Sequence, residues 1–234
     1  MKFKIREGFT LTELVIATII FGFMVMSLAT LHSTASKHML QSYRQNTVKS
    51  NASVAMRTIT ARLAEANRID APAPGNSGNT LRFAVNVDQR SGCYPINPLV
   101  PTSASWHEFC YVPGITPQCP LGDCLYYHTG AIAGGGGCPN GPFWNAVYPP
   151  SVPCCGCSGY GTVVQLASYV QPLAGGALFS RTPQLGNTLV KISLRILWDP
   201  AKIATMPGGR NFTKTAKIID KTLNTTVRIN RAGQ

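Results

Sequence analysis

Charge is scarce in this sequence, and acid is scarcer than base. Charged residues make up 13% of the 234 positions, with 9 Asp and Glu against 21 Lys and Arg. A chain of this kind builds its surface largely from uncharged polar groups, yet its 44% hydrophobic content is too high for an intrinsically disordered protein. Long apolar runs are also lacking, apart from one near the N-terminus, which excludes a multi-span membrane protein. No Lys or Arg occurs between Arg90 and Arg181, whereas ten lie from Arg181 to Arg231 against two acids, Asp199 and Asp220. The formal charge of +12 therefore belongs to particular faces and not to the whole molecule. No Pro or Gly separates Gly22 from Pro72, so nothing in that stretch stops a helix. The length suits one head domain plus an extra element.

Several chemical signatures are missing too. No Gly-x-Ser-x-Gly occurs, and the acids Glu65, Asp70, Asp88, Glu108, Asp123, Asp199 and Asp220 are scattered without a paired motif, so the expectation is a protein that is not an enzyme and carries no cofactor. Gly134 to Gly137 reads as a flexible loop, because no Lys-Ser/Thr follows it as a phosphate loop requires.

What the chain does have is eight cysteines, Cys93, Cys110, Cys119, Cys124, Cys138, Cys154, Cys155 and Cys157, all inside the stretch without basic residues. An even set in a Pro- and Gly-rich region reads as a disulfide framework made in an oxidising compartment. The competing reading is a zinc site assembled from Cys119, Cys124, Cys154, Cys155, Cys157, His107 and His128. No second Cys-x2-Cys unit stands beside Cys154-x2-Cys157 to make a pair, which favours disulfides. Cys154 and Cys155 are expected to bond different partners, because a bridge between neighbours is strained.

At the N-terminus, Met1 to Gly8 carries Lys2, Lys4 and Arg6, and Leu14 to Leu31 runs for 18 residues without a charge. By the positive-inside rule the leader stays in the cytoplasm and the remainder is exported. Phe9 to Leu31 is long enough to cross a bilayer once, at about 1.5 Å per residue over a hydrocarbon core of about 30 Å. One acid, Glu13, stands at the start of this segment, where an unpaired carboxylate costs about 3 kcal/mol. It can snorkel to the headgroups, or it can await a partner charge.

The run Gly8-Phe9-Thr10-Leu11-Thr12-Glu13-Leu14, behind a basic leader and ahead of an apolar helix, resembles the class III signal of type IV pilins and pseudopilins. The resemblance covers about 30 residues in detail. It implies that a prepilin peptidase cuts between Gly8 and Phe9, that Phe9 becomes the N-methylated first residue, and that Glu13 pairs with the new amine of a neighbouring subunit during filament assembly. Glu7 is a minor departure from an all-basic leader, and the Pro that usually weakens the membrane half of the helix is absent. The enlarged head and the terminal run Thr225 to Arg231 look like a J-type pseudopilin or a W-type minor pilin. The partners so implied are the peptidase, other pilin or pseudopilin subunits and an inner-membrane assembly platform. The expected location is a single pass of the inner membrane with the head outside, and then an extracytoplasmic filament.

The expected organisation is a leader (1–8), a transmembrane and polymerisation helix (9–33), an amphipathic continuation of it (34–70) and a β-rich head (71–234) with a Cys-rich insertion at about 91–161. Ala52, Met56, Ile59, Leu63 and Ala66 recur at spacings of four and three, the apolar stripe of a head-packed helix. Leu81, Phe83, Val85 and Val87 alternate, as do Val190, Ile192, Leu194, Ile196 and Trp198, so both segments read as strands. Shorter strands are expected at 162–170, 177–180, 216–219 and 225–229. The fold class is α+β, a long helix laid on an antiparallel sheet. The insertion has too little periodicity for elements and reads as a stapled excursion from the sheet. Arg210, Lys214, Lys217, Lys221, Arg228 and Arg231 make a basic third that is either a solvated face or a nucleic-acid surface. The structural reading, a minor pilin or pseudopilin, thus stands beside a DNA-uptake or adhesive pilin, and beside a membrane-anchored enzyme.

Overall fold

A computed structural model describes residues 10–96, 104–133, 136–146, 148, 155–159, 161–173, 176–183, 188–205 and 217–229. The fold is α+β, with a long N-terminal apolar helix and antiparallel sheets. The chain divides into two units, 1–46 and 47–234.

Helix α1 runs from Leu11 to Ala64, 54 residues, and passes through Gly22 without a break. In the first unit, residues 11–40 are all exposed, including Ile16, Ile20, Phe23 and Leu28. This stretch is long and apolar enough to cross a membrane. The last turns of α1 belong to the second unit and bury Val48, Ala52, Ala55, Ile59 and Leu63, the expected stripe. Burying one such Ile or Leu contributes about 1.5–3 kcal/mol. The helix stops at Ala64, short of the expected residue 70, and Glu65 and Ala66 N–H groups close the end on Arg62 and Leu63 carbonyls. The cause is strand pairing. Asn67 N–H donates to Ala84 O at 3.0 Å, and β1 (Arg68–Ala71) inserts the β-branched Ile69 into the core at 3% exposure.

The remaining elements are β2 (Ser77–Gly78), β3 (Thr80–Val85), β4 (Ser105–Val112), β5 (Cys124–Ala131), β6 (Thr162–Ala167), β7 (Val170–Gln171), β8 (Phe179–Arg181), β9 (Leu189–Trp198), the short helix α2 (Pro200–Ala204) and β10 (Ile219–Arg228). Asp199 caps α2 by accepting from Ala201 N–H at 2.9 Å, with Pro200 where a missing N–H costs nothing. The strands form two antiparallel sheets. Sheet A has the order β1-β3-β4-β5-β6, and sheet B the order β10-β9-β8-β2 with β7 also on β9. One core joins them to α1: Ile59 and Leu63 meet Leu81, Phe83, Phe109 and Leu125 of sheet A and Val190, Ile192, Leu194 and Ile196 of sheet B.

Three expectations change. The insertion is no excursion, because β4 and β5 inside it are interior strands of sheet A. The strands expected at 216–219 and 225–229 are one strand, β10, paired with β9 along its whole length. The strand expected at 162–170 is broken after Ala167, where Tyr169 takes φ 61° before β7 begins.

Candidate assembly site and stapled head

Gly8 and Phe9 lie outside the described residues. Thr10 and Glu13 lie within them and form a reciprocal cap at the start of α1. Thr10 N–H and Thr10 Oγ1–H donate to Glu13 Oε2 at 3.0 and 2.9 Å, and Glu13 N–H turns to Thr10 Oγ1 at 3.4 Å. Thr-x-x-Glu is the capping-box pattern, which satisfies amides that the first turn of a helix cannot. The negative side chain also suits the positive end of the helix dipole. Both bonds fall on Oε2, and among the described residues no donor reaches Oε1. Glu13 shares one helix face with Leu14, Ala17, Thr18 and Phe21, so the carboxylate sits at the polar end of an apolar groove. Thr18 keeps that groove apolar by turning its hydroxyl to Val15 O at 2.8 Å.

In the head, Cys93 bonds Cys138, Cys110 bonds Cys155, and Cys119 bonds Cys124, with Cα separations of 5.4, 5.9 and 5.8 Å. Cys157 is disulfide-bonded as well, and Cys154 lies outside the described residues. Among the described residues no cysteine is free, and Cys155 bonds a distant partner, not its neighbour. Of the residues weighed for zinc, His128 meets Cys155, and Cys110 joins them, with ligand atoms within 4.8 Å of one another. The two sulfurs are spent in a bridge, however, and His128 Nε2 accepts from Gly156 N–H at 2.9 Å. His107 faces the opposite side of sheet A. It stacks on Phe83 with ring centroids 5.0 Å apart, and its ring nitrogens meet Tyr127 OH at 2.7 Å and Ser105 Oγ at 3.0 Å. Burial, with the nearby Arg62 charge, pushes its pKa down to about 4, so the ring is neutral at pH 7.

The bridges hold loops over the outer face of β4 and β5. Cys110, Val112, Cys119, Cys124 and Tyr126 form a second apolar cluster there, and Ala84, Val87, Tyr94 and Ala104 a third. Gly130 lets the Trp106 ring lie on the strand, since a Cβ at that position would come within 2.6 Å of it. Ion pairs finish the seal. Arg68 Nε meets Asp70 at 2.8 Å, Tyr148 OH donates to Asp70 at 2.7 Å, and Arg82 Nε meets Glu108 at 3.1 Å. Burial raises the pKa of Glu108 against the pull of Arg82.

The other acids also hold the frame together. Asp123 accepts from Lys202 Nζ at 2.6 Å, from Tyr111 OH at 3.0 Å and from Gly114 N–H at 3.0 Å. Burial works to raise its pKa, and these donors outweigh it. Asp88 closes the turn at Arg90 and Ser91, Glu65 meets Arg62, and Asp220 takes Arg195 through two nitrogens at 2.6 and 3.0 Å.

Of the expected basic face, Arg210, Lys214 and Arg231 lie outside the described residues. Arg228 lies on the exposed side of sheet B, whereas Lys221 falls on the half-buried side. The charge of Glu13 is the more visible signal in the sequence, and Thr10-Leu11-Thr12-Glu13 is the signal of its cap. No protein-family model, curated protein or solved structure matches the chain.

Proposed function

We propose that this chain is a minor pilin or pseudopilin, cut after Gly8, held by one membrane pass and then drawn into a type IV pilus or type II secretion filament. The observation that supports this most is the helix α1 itself. Its first 30 residues, from 11 to 40, expose every apolar side chain, a surface that only lipid or neighbouring helices can cover, while its last turns are committed to the head core. Glu13 is the one acid in the exposed stretch. The cap holds it at the N-terminal end of the helix, with Oε1 left for the ammonium of Phe9 on a neighbouring subunit. In a medium of low dielectric that attraction offsets the desolvation of both charges. The basic leader keeps the cut site on the cytoplasmic side for a prepilin peptidase, and the oxidised cysteines suit a head outside the cytoplasm.

The test has two readings. N-terminal sequencing of the mature protein is expected to begin at Phe9, and a start near Ser36, after the apolar run, would sink the proposal. Replacing Glu13 by Ala is expected to leave membrane insertion intact and to lower incorporation into filaments. Equal incorporation would remove the assigned role of Glu13.

A further inference from the structure

Strand β10 is an edge. It pairs with β9 on one side, and among the described residues no strand pairs with the other. Which groups face that open side follows from the ladder. Ile229 N–H donates to Thr188 O at 3.0 Å, continuing the β9–β10 register. In an antiparallel pair the bonds come at every second residue, so the odd residues of β10 turn their backbone toward β9. Asp220, Thr222, Asn224, Thr226 and Arg228 turn their N–H and C=O groups outward. The β9 side agrees, since Leu197 and Ser193 N–H groups point away from β10, to Tyr169 O and Leu178 O.

Natural proteins blunt such an edge with Pro, a bulge, short length or inward charges. Here β10 is 10 residues long, contains no Pro or Gly, and keeps one register with β9 throughout. Lys221 near one end is its single inward charge. On the inner side Leu223 and Val227 are only half covered by the core.

We infer that β10 is a self-pairing edge, on which a second copy of this chain adds its own β10 antiparallel about Asn224. Only registers that match even residues to even residues bring the outward groups together. Among these, the one centred on Asn224 overlaps residues 220–228, all of the 10-residue strand but its first residue. It sets Asp220 opposite Arg228 of the second copy at both ends, Thr222 opposite Thr226, and Asn224 opposite itself. A shift of two residues either way loses the charge match, and the shift that centres the pair on Thr225 also shortens the overlap. Opposed charges and Thr–Thr pairs favour a ladder. The same register places Leu223 beside Thr225 and Lys221 beside Val227, which covers the half-exposed apolar side. The exposed face stays polar across the joint, and sheet B becomes one continuous sheet through two copies. This inference does not rest on the filament proposal, since it uses the head alone.

The experiment is sedimentation of the full chain in detergent micelles, combined with hydrogen exchange. Asn224→Lys sets two like charges face to face at the centre and is expected to weaken self-association on the order of tenfold. Asn224→Glu should do the same, and an equal mixture of the two variants should restore the dimer. Thr226→Pro removes an outward N–H without breaking a bond to β9, which an edge strand tolerates, and should also give monomers. In the parent dimer the amides of Thr222, Asn224 and Thr226 should be protected from exchange. A parent that stays monomeric, dimers that survive Asn224→Lys, a mixture that fails to recombine, or unprotected amides at these three positions would each overturn the inference. Dimers held through α1 instead would show themselves by the last result.

Discussion

Strands β4 and β10 are of similar length and both antiparallel, yet they are stabilised differently. In β4, His107, Glu108, Phe109 and Cys110 are buried in succession, so both faces of the strand are covered. In β10 the exposed residues alternate with half-buried ones from Asp220 to Arg228. Sheet B needs one core, and water serves its other face. Sheet A has a core on one side and, on the other, loops with little apolar sequence of their own. Those loops stay in place through covalent bonds and half-buried ion pairs. The comparison teaches where stability must come from: hydrophobic burial suffices for the one-sided sheet, and staples are required where a thin cover lies on a two-sided one.

The largest expected effect breaks that cover. Replacing Cys110 and Cys155 together by Ala opens a bridge between residues 45 apart, which the chain-entropy treatment puts at about 4 kcal/mol. Denaturant unfolding should show the loss, and hydrogen exchange should show it first in β4 and β5, with β9 and β10 still protected. A loss below about 1 kcal/mol would mean that packing holds the cover and the staple is incidental.

A somewhat smaller effect concerns the inner face of sheet A. The pKa of His107 is depressed to about 4 in the folded chain against about 6.5 unfolded. The unfolded chain therefore takes up the proton first on acidification. This contribution is complete above about pH 6.5, fades as the pH falls toward about 4, and is worth up to about 3 kcal/mol. Glu108, whose pKa is raised, acts with the opposite sign, so the parent alone mixes the two. His107→Gln keeps hydrogen-bonding groups and removes the titration. Melting temperatures across that window should fall less in the variant than in the parent, and parallel curves would refute the assignment.

The smallest effect sharpens the contrast from the other side. Thr222 is exposed on sheet B, and Thr222→Ala should change stability by no more than about 0.5 kcal/mol. A cost of about 2 kcal/mol or more would show that this face too is covered.

The same difference explains how much was legible in the sequence. Val190, Ile192, Leu194, Ile196 and Trp198 alternate with residues that are mostly exposed or half-buried, and α1 shows its stripe at Ala52, Ile59 and Leu63, because each has one wet side. The segments Ser105–Val112 and Cys124–Ala131 are covered on both faces over most of their length, so they lack the periodicity that separates a strand from a loop. Cysteine parity pointed to bridges, but pairing depends on which strand carries Cys110 past Cys155, and that is a property of the sheet order. Ile69 fits a helix and a strand equally well by its spacing; only its pairing partner Phe83 decides for strand. At the N-terminus the motif and its charge are plain in the sequence, while the hydrogen bonds of Thr10 to the same carboxylate depend on the folded first turn.

One small pairing has a wider consequence. Gly78 of β2 sits opposite Phe179 of β8, and Asn79 Oδ1 accepts from Leu178 N–H at 3.1 Å. Everything from residue 80 to residue 177 thus departs and returns at adjacent points, a closed circuit with its terminals clipped together. Doubling the length of such a circuit costs only about 0.6 kcal/mol in closure entropy. The segment is a natural graft site: a replacement of quite different size can join at the same terminals, provided it brings strands that offer the core what Leu81, Phe83, Phe109 and Leu125 offer now.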